Sequence, residues 1–288
     1  MTVQQIRMVT TPVDVAFGRD ATQIVVIAKG LLDRASVSLY TLEQGKAKAE
    51  EEWKLDEIFR NEPALRMVSA VSSTGSRALI LCCSEKKEAK LISDKGDVLS
   101  VIEPNSFRNH DVTLSGDGRF LSVASFTADA KVWEVQFSRD GTFKGTPKVM
   151  DLKGHKGQVT AVAISQDSRK AATASKDGHL KIWNLDVRHH QKEDAKCLLT
   201  TAQEVPKGQC YGRLVFGPRE ALAAAWGSHV HLIDTSTGRV ATTIDDAHDG
   251  PITSLAWAPT LLQTKSGEVA VLATAGEDGR VRLWKAPQ

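Results

Sequence analysis

The feature that most constrains the fold is an internal repeat. Residues 155–183 read HKGQVTAVAISQDSRKAATASKDGHLKIW, and residues 248–284 read HDGPITSLAWAPTLLQTKSGEVAVLATAGEDGRVRLW. In each copy a Thr lies four residues before an Asp, and a Trp follows that Asp by six. An eight-residue insert around positions 261–267 lengthens the His-to-Asp distance from 22 residues in the first copy to 30 in the second. Self-similarity of this length is typical of folds built from stacked supersecondary units.

The repeat extends over the whole 288-residue chain, and an aromatic or aliphatic residue closes each unit. The closing residues are Tyr40, Ile92, Trp133, Trp183, Ile233 and Trp284. From Trp133 onward they are 50 or 51 residues apart, whereas the first, second and fifth units match the others only in hydrophobic pattern. The sequence therefore predicts six units.

Each unit has the pattern of three short strands and a variable fourth. The segments HLKIW and RVRLW alternate with period two, as half-buried strands do, and VTAVAIS and KAATAS are too short for helices. The breaks SQDS, SGDG, SKDG and GEDG supply the Gly and Asp that tight turns require. Because a lone four-stranded sheet cannot bury both faces, we expect the units to stack around one axis in a single all-β domain, 1–288.

The segments KGH, SKDGHLKIWNLD and GEDGRVRLW resemble the Gly-His and Trp-Asp signatures of the WD-repeat family, although Asn184 and Lys285 replace the terminal Asp. The resemblance implies a β-propeller of six blades, with a seven-bladed ring lacking its first blade as the alternative. Four segments, 129–143, 152–159, 175–187 and 227–234, resemble one subgroup of the family in their order and spacing.

Closure of the ring is also predicted. The last unit ends at Lys285 after its third strand, and residues 3–9 (VQQIRMV) precede the first inner strand. We expect this segment to pair with the last strand, because closure removes the exposed edges that promote aggregation.

The repeated His, Thr and Asp admit a catalytic and a structural interpretation. A hydrolase would use His155 as general base, oriented by Asp177, with a hydroxyl nucleophile such as Thr173. Repetition favours a buried hydrogen-bond relay, because catalysis needs one site and this set recurs with a Trp in each copy. The family resemblance implies the same tetrads: His155, Thr173, Asp177 and Trp183, then His248, Thr274, Asp278 and Trp284. In the third unit Thr127 replaces the Asp and Asn105 the His, so that unit is predicted to rely on packing alone.

Composition narrows the function classes. The four cysteines lack the spacing of a zinc site or a disulfide framework, which favours a reducing compartment. The longest apolar stretches fall short of a membrane-spanning helix. We expect no cofactor, no metal, no enzymatic activity and no direct membrane insertion. The expected location is the cytoplasm, including the periphery of the endoplasmic reticulum, with the nucleus left open.

A monomeric protein-binding scaffold is the first functional hypothesis. The predicted docking face comprises the turns at Gly154, Gly157, Asp249 and Gly250. The subgroup resemblance implies a role in endoplasmic-reticulum stress signalling and translational control, with a stress-sensing kinase and ribosomal or messenger RNA components as partners. The alternative is an RNA- or ribosome-associated propeller using a basic patch of Lys144, Lys148, Lys153 and Lys156, although the net charge of +2 gives no strong basic field. A propeller enzyme is the third hypothesis.

Overall fold

The fold, seen in a computed structural model, consists of strands joined by turns and short loops. The structure describes residues 2–7, 11–17, 23–29, 35–43, 46–54, 64–71, 78–84, 88–93, 97–103, 108–264 and 267–285. Within these ranges it is an all-β structure in a β-propeller arrangement, as the sequence predicts. Two short 3-10 turns, His189–Gln191 and Pro218–Glu220, interrupt the strands.

Twenty-four of the strands form six four-stranded sheets, which we number as blades 1 to 6. Blade 1 comprises β2 (Thr11–Phe17), β3 (Gln23–Lys29), β4 (Ala35–Glu43) and β5 (Lys46–Lys54). Blade 2 comprises β6 (Ala64–Val71), β7 (Ala78–Ser84), β8 (Ala89–Ile92) and β9 (Val98–Ile102). Blade 3 comprises β10 (Asn109–Leu114), β11 (Phe120–Ser125), β12 (Ala130–Glu134) and β15 (Lys148–Leu152). Blade 4 comprises β16 (Val159–Ile164), β17 (Lys170–Ser175), β18 (His179–Asn184) and β19 (Lys196–Ala202). Blade 5 comprises β20 (Arg213–Phe216), β21 (Leu222–Trp226), β22 (His229–Ile233) and β23 (Val240–Ile244). Blade 6 comprises β24 (Ile252–Trp257), β27 (Val271–Gly276), β28 (Arg280–Lys285) and β1 (Thr2–Arg7).

The innermost strands of the blades form a closed circuit. Contacts run from β2 to β6, β10, β16, β20 and β24 in turn, and β24 contacts β2 again. All strands within each blade pair antiparallel with their neighbours. Sequence neighbours are therefore also neighbours in space, as in a propeller.

The core lies between consecutive blades. In the part of the chain whose side chains are described, five apolar clusters each join two neighbouring sheets, from the blade 2–3 interface around to the blade 6–1 interface. Between blades 3 and 4, for example, Met150 and Leu152 pack with Val162 and Trp183. Apolar side chains thus cover both faces of blade 4, and its innermost strand, β16, is buried along its whole length.

The first strand of the chain closes the last blade, as predicted. β1 pairs antiparallel with β28, from Thr2 opposite Trp284 to Arg7 opposite Arg280. Positions 8–9 of the predicted closing segment lie outside the described residues. The pairing gives blade 6 its fourth strand and covers an edge that would otherwise expose unpaired backbone groups.

The insert that lengthens the second copy of the repeat, residues 248–284, forms a small hairpin. β25 (Leu262–Thr264) pairs with β26 (Gly267–Val269) outside the four-stranded sheet of blade 6. A similar two-stranded sheet, β13 (Gln136–Phe137) with β14 (Phe143–Gly145), extends from blade 3. The insert therefore lengthens a loop without altering the repeat.

Disrupting the closing strand is expected to destabilise the ring. In Gln5→Pro/Ile6→Pro, opposite Arg282 and Val281, one of the two prolines removes a backbone donor to β28, because consecutive N–H groups of this edge strand point alternately toward and away from its partner. We expect the melting temperature to fall by about 5 °C or more, the effect of roughly 2–3 kcal/mol in a chain of this size. Differential scanning calorimetry and light scattering measure the loss of stability and the association through the freed edge.

The control is Gln136→Pro, which places a proline in the exposed side sheet of β13 and leaves the ring intact. Equal melting temperatures for the β1 double variant and the wild type would show that β1 does not contribute to closure.

Candidate partner-binding face

The first His–Asp pair lies at one end of blade 4, where four side chains form a continuous hydrogen-bond relay. His155 Nδ1 lies 2.9 Å from Asp177 Oδ2, and His155 Nε2 lies 2.8 Å from Thr173 Oγ1. Trp183 Nε1 donates to the same Thr173 oxygen at 2.8 Å. The relay joins the loop before β16 to β17, β18 and the turn between them.

Blade 6 has the same relay. His248 Nδ1 lies 2.9 Å from Asp278 Oδ1, His248 Nε2 lies 2.7 Å from Thr274 Oγ1, and Trp284 Nε1 donates to Thr274 at 2.9 Å. In this copy Arg282 adds a cation 3.3 Å from Asp278, whereas Lys181 at the equivalent position of blade 4 donates to Thr200 instead. We call the end of the ring that carries both relays the tetrad end.

The turn after β17 explains why the carboxylate points at the histidine. Ser175 Oγ accepts a hydrogen bond from Asp177 N at 3.1 Å, and Asp177 Oδ1 accepts one from His179 N at 2.9 Å. Gly178 takes a positive φ of 81°, which lets the chain reverse directly into β18. The other carboxylate oxygen of Asp177 is then left to hold His155 and the backbone N–H of Lys156.

The direction of the hydrogen bonds fixes the protonation state of the histidines. Ionised Asp177 can only accept, so Nδ1 of His155 carries a proton, and the lowered pKa of His155 leaves Nε2 unprotonated. Nε2 therefore accepts the hydrogen of the Thr173 hydroxyl, whose oxygen accepts from the indole N–H of Trp183. Burial lowers the pKa of His155 and of His248 below the ordinary value, against the opposing effect of the neighbouring carboxylates.

The carboxylates of the relays remain ionised. Asp177 loses solvent on burial, but hydrogen bonds from Lys156 N, His155 and His179 N outweigh that cost and lower its pKa to about 2. The pKa of Asp278 is lowered in the same way by His248 and by the backbone N–H of Asp249.

The burial of these groups does not suit nucleophilic catalysis. The side chains of His155 and His248 are 0% exposed. The hydroxyls of Thr173 and Thr274, the relay groups that could act as nucleophiles, each already contact an indole and an imidazole. Neither imidazole exposes a surface to solvent at which a substrate could bind. The arrangement suits a brace that fixes the geometry of one blade.

Blade 5 contains a polar cluster that the sequence analysis missed. Tyr211 Oη lies 2.8 Å from His231 Nδ1, and Trp226 Nε1 donates to His231 Nε2 at 3.4 Å. Trp226 also stacks on His229, with ring centroids 4.3 Å apart. Burial raises the pKa of Tyr211 and lowers that of His231. His229 and His231 are two residues apart in GSHVHLI and so lie on the same face of β22, against Trp226, with His231 buried and His229 partly exposed.

The third blade is not held by packing alone, so that prediction was wrong. Thr127 Oγ1 donates to the carbonyl of Asp129 at 2.8 Å, and Ser122 Oγ donates to that of Lys131 at 2.8 Å. Asp111 on β10 accepts from Val162 N at 3.0 Å and so ties blade 3 to blade 4. Polar groups within the strands replace the relay here; Asn105 lies outside the described residues.

The four residues of the predicted docking face lie in two turns of the tetrad end. Gly154, with a φ of 130°, and Gly157 flank His155 in the turn that enters blade 4. Asp249 and Gly250 line a cavity of about 510 Å³ at the entrance to blade 6, together with Ser228, Asp246, His248 and Pro251. Arg280 forms an ion pair with Asp249, so this carboxylate is partly neutralised.

The lysines of the predicted basic patch have different surroundings. Lys148 Nζ lies 2.9 Å from Asp151 Oδ2, and Lys153 Nζ lies 3.2 Å from the same oxygen and 3.3 Å from Asp194. Lys144 lies on β14 in the side sheet, and Lys156 is exposed at the tetrad end. Two of the four positive charges are therefore compensated by nearby carboxylates.

Comparison with known families agrees with this geometry. The sequence profile described as "WD domain, G-beta repeat" matches residues 146–184 and 238–285, which contain both relays. Both matched segments are therefore WD40 repeats.

Several curated proteins are similar in sequence to part of the chain. Transducin beta-like protein 2 of Homo sapiens is 36% identical over 188 residues, covering 65% of this chain and 42% of the relative. Ribosome biogenesis protein YTM1 of Chaetomium thermophilum is 24% identical over 257 residues, covering 78% of this chain and 50% of the relative. U3 small nucleolar RNA-associated protein 12 of Saccharomyces cerevisiae is 30% identical over 142 residues, covering 47% and 12%. This WD40-repeat chain thus spans at most half the length of these relatives.

The described residues contain neither a cluster of potential metal ligands nor a candidate membrane-spanning helix. No group of three or more His, Cys, Asp or Glu side chains there is arranged to hold a metal ion. No helix in the same part of the chain has the length and apolar character needed to cross a bilayer.

Removing one relay histidine is expected to reduce stability more than removing an exposed one. We expect His155→Ala to lower the free energy of unfolding by about 2–3 kcal/mol, because Asp177 and Thr173 lose a partner while buried. Urea denaturation measures this loss, with the exposed His190 as His190→Ala control. In a double-mutant cycle with Thr173→Val we expect a coupling energy above about 1 kcal/mol, and additive effects would contradict the relay.

The histidines also predict a pH dependence. Because the folded-state pKa of His155 and His248 lies below 6.5, the unfolded chain binds protons that the folded chain does not once the pH falls below 6.5. Stability should therefore decrease between pH 7 and pH 5, by at most about 1.4 kcal/mol per pH unit for each histidine. Asp177 adds its own loss only as the pH falls from 3.8 toward about 2.

Urea midpoints measured from pH 8 to pH 5 test this dependence. The slope should be shallower in His155→Ala/His248→Ala than in the wild type and unchanged in His190→Ala. A double variant with the wild-type slope would show that these imidazoles do not cause the pH dependence.

Proposed function

We propose that this WD40-repeat protein is a non-enzymatic scaffold that binds protein partners through the tetrad end of its ring. The observation that carries the proposal is the division of roles at that end. The imidazoles, carboxylates and hydroxyls capable of catalysis are buried in the relays, while the turns around them expose charged and aromatic side chains. Loops on a rigid frame are where recognition residues usually lie.

The exposed charges at the tetrad end are unevenly distributed, which supports selective recognition. Lys156 and Lys176 are exposed on blade 4, whereas Asp246 and Glu277 are exposed next to blade 6. Opposite charges on two sides of one face orient a partner and exclude others, since like-charge contacts are unfavourable. The family supports the coarse function, because WD40 propellers generally act as protein-binding platforms.

Membership of a ribosome-associated assembly is the second candidate. The likeness to ribosome biogenesis protein YTM1, which covers 78% of this chain, favours it. Direct RNA binding through Lys144, Lys148, Lys153 and Lys156 receives less support, because carboxylates compensate Lys148 and Lys153. As a member of a ribosome-associated assembly, the chain would therefore bind through protein contacts.

The finer expectation concerns stress signalling. A role in endoplasmic-reticulum stress signalling and translational control, with a stress-sensing kinase as partner, depends on the resemblance to transducin beta-like protein 2 alone. The same holds for a location in the cytoplasm and at the periphery of the endoplasmic reticulum. Both belong to the proposal as its most specific part.

Comparative affinity purification tests the scaffold proposal. A face variant, Lys156→Glu/Lys176→Glu/Glu277→Lys, should lose the specific partners of the wild-type chain, because all three side chains are exposed at the tetrad end. Quantitative mass spectrometry of the purified material, with and without ribonuclease, measures the loss. Partners retained after ribonuclease treatment indicate protein contacts, whereas partners lost with it indicate that RNA mediates binding.

The matched control carries the same charge changes at exposed positions away from the tetrad end, Lys144→Glu/Lys192→Glu/Asp186→Lys. It should keep the wild-type partners. A face variant that also keeps them would overturn the proposed binding face.

A further inference from the structure

Four of the five Asp-Gly pairs in the chain share one turn geometry. In each of the four, the glycine has a positive φ of 69° to 82°, and its N–H donates to the carbonyl three residues earlier at 2.9 to 3.2 Å. The aspartate Oδ1 accepts a hydrogen bond from the N–H two residues ahead at 2.9 to 3.1 Å. Both groups of each pair are thus engaged. The four pairs are Asp117–Gly118, Asp140–Gly141, Asp177–Gly178 and Asp278–Gly279.

The fifth pair, Asp249–Gly250, lacks all three features. The residue two positions after Asp249 is Pro251, which has no N–H to donate to the carboxylate. Proline also restricts the backbone of the residue before it, and Gly250 does not have a positive φ. Within the described part of the chain, the N–H of Gly250 makes no hydrogen bond. Its nitrogen is therefore free to react.

The carboxyl group of Asp249 is also weakly restrained. Its side chain is 68% exposed, against 10% for Asp177 and 5% for Asp278 in the relays. Arg280 pairs with Oδ2 of Asp249, and Arg282 Nη2 lies 3.6 Å from the same oxygen. An ion pair as exposed as this one restrains a side chain little. The carboxyl carbon can therefore approach the backbone nitrogen that follows it.

Space and water are available at this turn. Asp249, Gly250 and Pro251 line the cavity of about 510 Å³ at the entrance to blade 6. A ring formed from the side chain and backbone of Asp249 would lie beside this cavity. Water in the cavity could then open the ring.

We propose that Asp249–Gly250 is a site of spontaneous backbone isomerisation in the folded protein. The Gly250 nitrogen attacks Cγ of the protonated Asp249 carboxyl group, and the new C–N bond closes a five-membered succinimide. The hydrogen of the nitrogen and the OH of the carboxyl group leave as water.

Hydrolysis of the succinimide completes the isomerisation. If water adds to Cγ, the bond from Cγ to nitrogen breaks and aspartate returns. If water adds to the main-chain carbonyl carbon, the bond from that carbon to nitrogen breaks, and the chain continues through Cγ as an isoaspartyl bond. The water lost at ring closure is regained at ring opening, so the reaction needs no oxidant, reductant or cofactor.

Asp140–Gly141 shows why exposure alone does not create such a site. Asp140 is also exposed, in the turn between β13 and β14. Gly141 N donates to the carbonyl of Ser138 at 3.0 Å, and Thr142 N donates to Asp140 Oδ1 at 3.0 Å. Hydrogen bonds from Ser138 and Thr142 lower the pKa of Asp140 to about 2, which reduces the protonated form that reacts. Both reacting groups are thus less available here.

Isomerisation would change the turn beside the relay of blade 6. An isoaspartyl bond adds one carbon to the backbone between His248 and Gly250 and keeps the negative charge. Asp249 N donates to Asp278 Oδ2 at 3.2 Å, so the altered backbone disturbs a hydrogen bond to the relay carboxylate. The chemistry of this site does not depend on the proposed scaffold function, although the turn belongs to the tetrad end.

Peptide mapping of the aged protein tests the proposal. The purified chain is incubated at physiological pH and temperature and digested, and its peptides are analysed by chromatography with electron-transfer dissociation, which distinguishes isoaspartate from aspartate. We expect isoaspartate to form at least about tenfold faster at Asp249 than at Asp140, because hydrogen bonds restrain both reacting groups of the second pair. Equal rates at the two positions would overturn the proposal.

The chain unfolded in guanidinium chloride is the first control. All five Asp-Gly pairs should then form isoaspartate at similar rates, because the turn geometry that distinguishes them is lost. Isoaspartate at Asp249 in the unfolded chain but not in the folded chain would also overturn the proposal, since the folded turn would then protect this pair as well.

Two reciprocal variants test the role of the missing donor. Pro251→Ala supplies an N–H two residues after Asp249 and should slow isomerisation there about tenfold, whereas Thr142→Pro removes the equivalent donor and should accelerate isomerisation at Asp140 about tenfold. Thr142 lies in the side sheet, so the ring stays intact. Unchanged rates in both variants would contradict the assigned cause.

Gly250→Ala and Asp249→Glu test the reacting atoms. A Cβ at position 250 would lie 3.7 Å from Glu277 Cβ and 3.8 Å from Asp278 N, so alanine fits without strain. Its methyl group hinders ring closure and should slow isomerisation several-fold, and glutamate should abolish it because a six-membered ring closes much more slowly. Thermal melts show whether each variant folds. A folded Gly250→Ala chain that isomerises at the wild-type rate would overturn attack by this nitrogen.

Discussion

Packing between neighbouring sheets is the interaction on which the rest of this structure depends. Blades 3 to 6 are apolar on both faces, so none of them can be stable alone and each needs a neighbour on either side. That requirement explains the closed circuit of innermost strands and the pairing of β1 with β28. It also explains the small residues of β16 and β17, where Ala161, Ala163, Ala172 and Ala174 let adjacent sheets approach closely.

Burial of both faces leaves the register of a strand weakly specified, and the relays specify it. Where one face of a strand is polar, a register slip exposes apolar side chains and is therefore disfavoured. β16 has no such polar face, since it is buried throughout, so hydrophobicity alone specifies its register weakly. A relay that links the loop before β16 to Thr173, Trp183 and Asp177 is satisfied in one register alone. Buried polar groups without partners are costly, and this cost supplies the specificity that the apolar faces lack.

The sequence predicted the repeated features and the closing strand, and it missed side-chain contacts that occur once. The spacing of Thr, Asp and Trp is sufficient to place the relay atoms together, because strand register converts sequence distance directly into spatial distance. The polar cluster of Tyr211, Trp226 and His231 has no counterpart among the described side chains of the other blades, so no repeated spacing marked it. The ion pair of Lys153 with Asp194 joins two loops 41 residues apart, and a charge count along the chain does not reveal such compensation.

The repeated and unrepeated turn positions also contribute differently to stability. Where a relay is present, the turn after the second strand must supply its Asp, as in blades 4 and 6, and only the residue before that Asp is free to vary. Blades 3 and 5 have no such Asp, and their turns carry the aromatic side chains Phe126 and Trp226. Apolar contacts within the core and polar bonds within the strands hold those two blades, since Asp111 ties blade 3 to blade 4 and Tyr211 contacts His231 in blade 5. Local contacts thus take the place of the relay in blades 3 and 5.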